Sequence, residues 1–175
     1  MSGAIRTALL FGAFFLAGVV TLTNAKADED DHERHAGGLG RVDNPTYEER
    51  CGVCHFVYQP ALLPSGSWCK ILASLEEHNG KHVNVKDEDR KIIGEYLMNN
   101  AAEYSSAKRA VKIMRSLDGK TPKRITEVPY IRRKHDEIPE DAFRRESIGS
   151  RSNCVACHST AEQGVYEEDY VHIPE

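Results

Sequence analysis

The chain is poor in the residues that build a large hydrophobic core. Phe, Trp and Tyr make up only 7% of its 175 residues, and its mean hydropathy is −0.52. A small domain of this composition needs a covalent staple or an additional apolar group to complete its core. The chain also has no long basic run, which argues against nucleic-acid binding.

Long apolar runs are absent except for one at the N-terminus. That run extends from Ala8 to Leu22, which is shorter than the roughly 20 residues of a membrane-spanning helix. Arg6 precedes it, and the A-x-A pattern of residues 25–27 follows it. We therefore expect residues 1–27 to be a cleaved signal peptide of a periplasmic protein with no stable membrane insertion, and a retained anchor is the alternative.

Positive charge is in deficit once the predicted signal peptide is removed. The formal net charge changes from −4 to −6, which favours partners that present positive patches. Residues 28–43 begin this mature chain, and they are acidic, contain His32 and His35, and lack an apolar period. We expect them to form a flexible tail.

Cysteine is scarce, but four of the five cysteines lie in two copies of one pattern. Residues 51–55 read CGVCH, and residues 154–158 read CVACH. C-x-x-C-H is typical of c-type haem attachment, in which both thiols bind the haem covalently and the histidine ligates the iron. The sequence thus predicts two haem c groups, with attachment at Cys51, Cys54, Cys154 and Cys157 and proximal ligation by His55 and His158.

Zinc and disulfides are the alternatives for these cysteines. A zinc ribbon usually places its two C-x-x-C pairs close together, whereas a long central segment separates these, and zinc does not require a histidine after each pair. A redox-active disulfide usually accompanies a βαβ pattern, which is missing. Haem attachment is therefore the leading interpretation.

A candidate second axial ligand follows the first motif. Ser67 is expected to cap a helix whose apolar stripe recurs at helical spacing and ends before Gly80. This pattern predicts that the helix directs His78 into a haem pocket, while a helix-terminal or core histidine is the simpler alternative. His82 is a nearby rival. The stripe consists of Trp68, Ile71, Leu72 and Leu75.

The second half has weaker patterns. Helices are expected over 86–102 and 107–117. The second of these carries basic residues that form a solvated face, a docking patch for an acidic partner or neighbours of a haem propionate. Prolines then limit the length of any helix between residues 121 and 152. His135 is the only histidine between His82 and the second motif, which makes it a candidate ligand, and a surface histidine is the alternative.

Other candidate ligands compete with these histidines. His172 is a rival to His135, and Met98 and Met114 could give His/Met coordination, although their spacing favours packing in the core. The fifth cysteine, Cys69, is interpreted as a buried hydrophobic residue, a free thiol or a dimer link, of which the first is commonest.

Several segments together resemble the bacterial periplasmic dihaem cytochrome c family. The resemblance extends from about residue 47 to about residue 174. It includes both C-x-x-C-H motifs. The segments between are YQPALLP at 58–64, the helix that contains Trp68, ITE at 125–127, PY at 129–130, Arg133 and HDEI at 135–138.

This resemblance implies a mainly α fold and a division into domains. A helical domain similar to class I cytochrome c would occupy residues 44–104, and a less regular, loop-rich second haem domain would occupy residues 105–175 and pack on it. It also implies that both irons are bis-His, with His55 paired to His78 and His158 paired to His135.

The resemblance implies an electron carrier that takes electrons from a membrane cytochrome and gives them to a soluble monohaem cytochrome. Two histidines per iron leave no open coordination position, which agrees with electron transfer and not with catalysis. The alternative is a dihaem enzyme of the peroxidase or nitrogen-oxide reductase type, or a gas-binding protein. Each of these needs a vacant or displaceable ligand.

Overall fold

The computed structural model describes residues 38–175 of the chain. The predicted signal peptide, residues 1–27, lies outside this range, as do residues 28–37 of the predicted tail. Within the described range, no helix is both long enough and apolar enough to cross a membrane.

The described residues form short helices joined by loops, and no strand longer than an isolated bridge is present among them. This confirms the mainly α prediction. The α-helices are α1 (Pro45–Cys51), α2 (Ser65–Leu72), α3 (Asp87–Asn99), α4 (Lys108–Leu117) and α5 (Pro129–Lys134). The 3-10 turns are Pro60–Leu62, Leu75–Glu77, Ala102–Tyr104, Ile125–Glu127, Ala142–Arg144, Cys154–Ala156, Ala161–Gln163 and Glu168–Tyr170.

Helix α1 begins where its sequence supplies both a cap and a rigid first residue. The Asn44 side chain accepts a hydrogen bond from the Tyr47 amide at 2.9 Å, and Pro45 occupies the first helical position. The ring of Tyr47 is buried, so this short helix is held against the core. Its last residue is Cys51, which places the first motif at the helix C-terminus.

The expected helix from Ser67 to His78 is wrong. Helix α2 begins two residues earlier and ends at Leu72, and a separate 3-10 turn follows. The chain then folds back, because the Val83 amide donates to the Leu75 carbonyl at 2.9 Å, a bond that a continuous helix could not allow. Asn79 and Gly80 both adopt positive φ (53° and 79°), the turn geometry that favours Asn-Gly.

The two later helix predictions are confirmed, with small changes at their ends. Helix α3 buries Ile93 and Leu97 against α2, and helix α4 buries Ala110, Ile113 and Leu117. After α5 the described chain contains only 3-10 turns and loops. The later part of the chain is therefore the less regular one.

One cluster of buried residues runs through the described part of the chain, from Tyr47 to Tyr166. Leu39 and Val42, which belong to the predicted tail, pack against it, and the Leu39 amide donates to the Gly164 carbonyl at 2.8 Å. The division into domains at residues 104 and 105 stays a prediction.

Candidate functional site

The first motif follows directly from α1. Cys51 is half-buried and Cys54 is exposed. His55 is also half-buried, and its Nδ1 lies 2.7 Å from the Phe56 carbonyl oxygen. A carbonyl oxygen can only accept, so Nδ1 carries the proton and Nε2 keeps a free lone pair. This is the tautomer that metal-binding histidines usually adopt.

His78 lies opposite His55. The two ring centroids are 6.2 Å apart, and the ring planes differ by 24°. An imidazole nitrogen binds a metal at about 2 Å, so two imidazoles on opposite sides of one ion have centroids roughly 6 Å apart. The spacing of this pair therefore fits axial ligation of a single iron.

The tight turn described above holds His78 in this position. The His78 amide donates to the Lys81 carbonyl at 2.9 Å, and the Lys81 amide donates back at 3.0 Å. The partner histidine, His55, has its own contact: Tyr58 stacks on its ring, with the ring centroids 5.0 Å apart. Local contacts thus fix the backbone of His78 and the ring of His55.

The second motif sits on a 3-10 turn, unlike the first. The His158 amide donates to the Cys154 carbonyl at 2.8 Å, which closes the turn. His158 also forms an isolated bridge with Val171, and the amide of His172 donates to the Cys157 carbonyl at 2.9 Å. The C-terminal segment therefore runs alongside the motif and holds it in place.

His135 lies opposite His158 at the end of α5. Its Nδ1 is 2.7 Å from the Ile131 carbonyl oxygen, one of the carbonyls that a helix end leaves without an amide partner. The ring centroids of His135 and His158 are 6.0 Å apart, and their planes differ by 68°. The separation again fits two imidazoles on one iron, with the planes nearly perpendicular.

Burial controls the charge of these groups. Burial, with smaller effects from His135 and Arg109, lowers the pKa of His158 to about 4. Burial also lowers the pKa of His78, with smaller effects from His55 and Lys123. Both imidazoles are therefore neutral at pH 7, and neutral imidazole is the form that binds a metal.

The motif thiols respond to burial in the opposite direction. Burial raises the pKa of Cys51 and that of Cys154 to about 11 each. No disulfide joins any of the five cysteines, all of which lie in the described residues.

The rival ligands lie elsewhere. His82 and His172 are exposed, whereas His78 and His135 are the histidines that face the two motif histidines. Met98 and Met114 pack against the hydrophobic cluster. Cys69 is exposed on α2, so its interpretation as a buried residue is wrong. Residues 38–175 contain no group of three or more His, Cys, Asp or Glu side chains arranged to hold a metal ion.

The model of the dihaem cytochrome c family matches residues 47–166. This chain belongs to that family. Its match covers both motifs and both facing histidines, and it agrees with the resemblance drawn from the sequence. Two haem c groups are therefore the cofactors of this dihaem cytochrome c.

Solved structures agree with this identification. The dihaem cytochrome c of Rhodobacter sphaeroides is 38% identical with a TM-score of 0.63, and the match covers 72% of this chain and 98% of that one. The dihaem cytochrome of Shewanella baltica OS155 is 36% identical with a TM-score of 0.61, covering 75% and 93%. No curated protein gives a significant match.

Two residues that join the sites have no local signal in the sequence. Gln59 is fully buried, and its Nε2 donates to the Ala161 carbonyl at 2.7 Å. The hydroxyl of Tyr166 donates to Gln59 Oε1 at 2.6 Å, and the Tyr166 ring lies 5.4 Å from the His158 ring. Because these partners are more than 100 residues apart in the chain, no periodicity or motif could have paired them.

Proposed function

We propose that this dihaem cytochrome c is an exported, periplasmic electron carrier with two bis-His irons. One iron is held by His55 and His78, and the other by His158 and His135. The observation that carries the proposal is the spacing of the two histidine pairs, 6.2 Å and 6.0 Å between ring centroids. The haems are attached through the thiols of Cys51, Cys54, Cys154 and Cys157.

The chain supplies both ligands of each iron and so leaves no axial position for a small substrate. Each haem supplies a one-electron couple when bound. The protein orients the ligands through the Phe56 and Ile131 carbonyls, which accept from Nδ1 of His55 and His135. Ligands held in this way need little rearrangement when the charge of the iron changes. This supports electron transfer over peroxidase, nitrogen-oxide reductase or gas-binding activity.

The partners in this proposal are redox proteins. A membrane cytochrome donates electrons, and a soluble monohaem cytochrome accepts them. Export is supported by the sequence of residues 1–27, and by the general association of c-type haem attachment with exported proteins.

Replacement of the facing histidines tests the ligand assignment. His78→Ala and His135→Ala should each convert one low-spin haem to a high-spin haem that binds carbon monoxide, because one axial position opens. Absorption and low-temperature magnetic circular dichroism spectra report this change. The exposed residues His82 and His172 provide the matched control variants, and their spectra should equal that of the wild type.

Two results would contradict the proposal. Normal spectra in His78→Ala and His135→Ala, with a high-spin haem in His82→Ala or His172→Ala, would refute the ligand assignment. Rapid turnover of peroxide, nitrite or hydroxylamine by the wild-type protein, together with one five-coordinate haem, would identify an enzyme instead of a carrier.

A further inference from the structure

Charge is strongly segregated along this acidic chain. Residues 107–135 contain ten Lys and Arg but only two Asp and Glu, a net charge of +8. The other residues in the range 38–175 carry ten basic and twenty acidic side chains, a net charge of −10. The net negative charge of the whole protein therefore conceals one concentrated positive region, which contains α4 and α5.

Three of the four basic side chains of α4 point away from the core, whereas Arg109 packs over the buried ring of Tyr166. Lys108, Lys112 and Arg115 recur at spacings of four and three residues, so they share one side of the helix. The opposite side is the buried one, formed by Ala110, Ile113 and Leu117. We call the exposed side chains of Lys108, Lys112 and Arg115, together with those of Arg132 and Arg133 on α5, the basic face.

Helix α5 continues this surface beside α4. The Lys112 ammonium lies 5.8 Å from the centre of the Tyr130 ring, and the Tyr130 amide donates to Ser116 Oγ at 3.1 Å. Arg132 and Arg133 line a cavity of about 540 Å³ together with Arg151 and one carboxylate, that of Asp136. The two helices thus present their cations on adjoining surfaces.

Few of these cations are neutralised within residues 38–175. Only two of the ten basic side chains between 107 and 135 lie within 4.0 Å of a carboxylate: Arg109 is 3.5 Å from Glu167, and Lys134 is 2.7 Å from Glu168. The five residues of the basic face have no such partner in that range. Their charge is therefore available to an external anionic surface.

The basic region lies next to both facing histidines. Helix α5 ends at Lys134, and His135 is the next residue. At the other site, the Lys123 ammonium is 3.1 Å from Ser74 Oγ, in the loop that leads to the turn of His78. A partner that docks here would therefore lie close to an electron-transfer site, which is where a redox partner has to bind.

We propose that the basic face is the docking surface for an acidic redox protein. This inference rests on the proposed function. Complementary charge steers association and allows short-lived complexes, which suit an electron carrier. An anionic membrane is the less suitable occupant, because an interfacial helix inserts an apolar face into lipid. Here α4 buries its apolar face in the protein, and none of the exposed large hydrophobic residues of the described chain lies in 107–135.

Charge reversal tests this surface in the full, haem-loaded protein. The triple variant Lys108→Glu, Lys112→Glu, Arg115→Glu changes the net charge by six units within the basic face. The control variant Lys86→Glu, Lys91→Glu, Arg144→Glu makes the same change at exposed positions outside it. The probe is a reduced plant-type ferredoxin, an acidic electron donor with a potential of about −400 mV.

Stopped-flow mixing at low ionic strength measures the second-order rate of haem reduction. The basic-face variant should react at least roughly 10-fold more slowly than the wild type, and added salt should remove the difference because a Debye length of about 10 Å at 0.1 M screens the charges. The control variant should stay within about 2-fold of the wild type, because its changed charges lie outside the contact.

Two outcomes would overturn the docking surface: an unchanged rate in the basic-face variant, and an equal loss in both variants. An unchanged rate together with loss of binding to vesicles that contain about one third phosphatidylserine would assign the basic face to an anionic membrane instead. Electrode titration of both variants separates this failure from failure of the proposed function. If both haems are reduced reversibly at unchanged potentials and the ferredoxin rate is insensitive, only the docking surface is refuted.

Discussion

The two haem-binding regions share one pentapeptide pattern but are built differently. The first motif follows α1 and lies near the packed helices α2 and α3, whereas the second sits on a 3-10 turn alongside the C-terminal segment. The facing histidines also come from different elements. His78 lies in a tight turn, and His135 follows a short helix.

The difference extends to how the motif histidines are held. His55 donates from Nδ1 to a backbone carbonyl, while the buried Nδ1 of His158 has no hydrogen-bond partner within the described residues. Despite this, the two centroid separations agree within 0.2 Å, as 6.2 Å and 6.0 Å. The comparison teaches that the distance between facing imidazoles is retained while the scaffold that provides them is free to change.

Loss of each haem should have the largest effect, and it should affect the two regions unequally. In Cys154→Ser, Cys157→Ser, amides of residues 136–175 should exchange with solvent on the order of 100-fold faster, because this region contains only 3-10 turns and loops. Helices α2 and α3 should keep their protection, since they pack on each other.

Hydrogen exchange with mass spectrometry measures this effect, and intact mass confirms the loss of one haem. The matched variant is Cys51→Ser, Cys54→Ser, which should leave α2 and α3 partly protected. If both variants lost protection equally in both regions, the difference in regular structure between the two regions would not correspond to a difference in their local stability.

The buried bond between the regions should have the next largest effect. Gln59→Leu removes the partners of the Tyr166 hydroxyl and the Ala161 carbonyl, and each unpaired buried group costs about 1–3 kcal/mol. We therefore expect the free energy of unfolding to fall by roughly 2–6 kcal/mol, measured by urea denaturation.

Gln163→Leu is the control for this prediction, because Gln163 is exposed in the same part of the chain as Ala161. Its effect should lie within about 0.5 kcal/mol of the wild type. A Gln59→Leu protein as stable as the control would mean that the two regions do not depend on this contact.

The smallest effect is spectroscopic and needs no change in stability. The ring planes of His55 and His78 differ by 24°. If both bind one iron, as proposed, the two rings would act on the same iron d orbital and separate it in energy from the other orbital of the pair. The planes of His135 and His158 differ by 68°, so in the proposed site the two orbitals would stay closer in energy. Electron paramagnetic resonance of the oxidised protein should therefore resolve two low-spin signals, of which the second has the larger maximum g value.

Variants assign these two signals. His135→Ala should remove the signal with the larger maximum g value, and His78→Ala should remove the other one. A single signal in the wild type, or the reverse assignment, would contradict the difference in ring orientation.

Much of the first region could be predicted from local pattern, although not its most important turn. Helix α3 and helix α4 follow apolar periodicities that are visible in the chain. The helix expected to end at His78 fails because the apolar stripe of residues 68–75 does not distinguish one long helix from a shorter helix followed by a 3-10 turn. The Asn79-Gly80 pair carried the signal for the turn.

By itself, the sequence determined the cofactor class, because two C-x-x-C-H motifs each predict covalent haem attachment and a proximal histidine within five residues. It also determined the basic side of α4, since helical spacing alone puts Lys108, Lys112 and Arg115 together. Only the tertiary structure decided that His78 faces His55, and that His135 faces His158. The reason is physical. Each pair of histidines comes together only through the packing of segments that are distant in the chain, and local spacing carries no information about such packing.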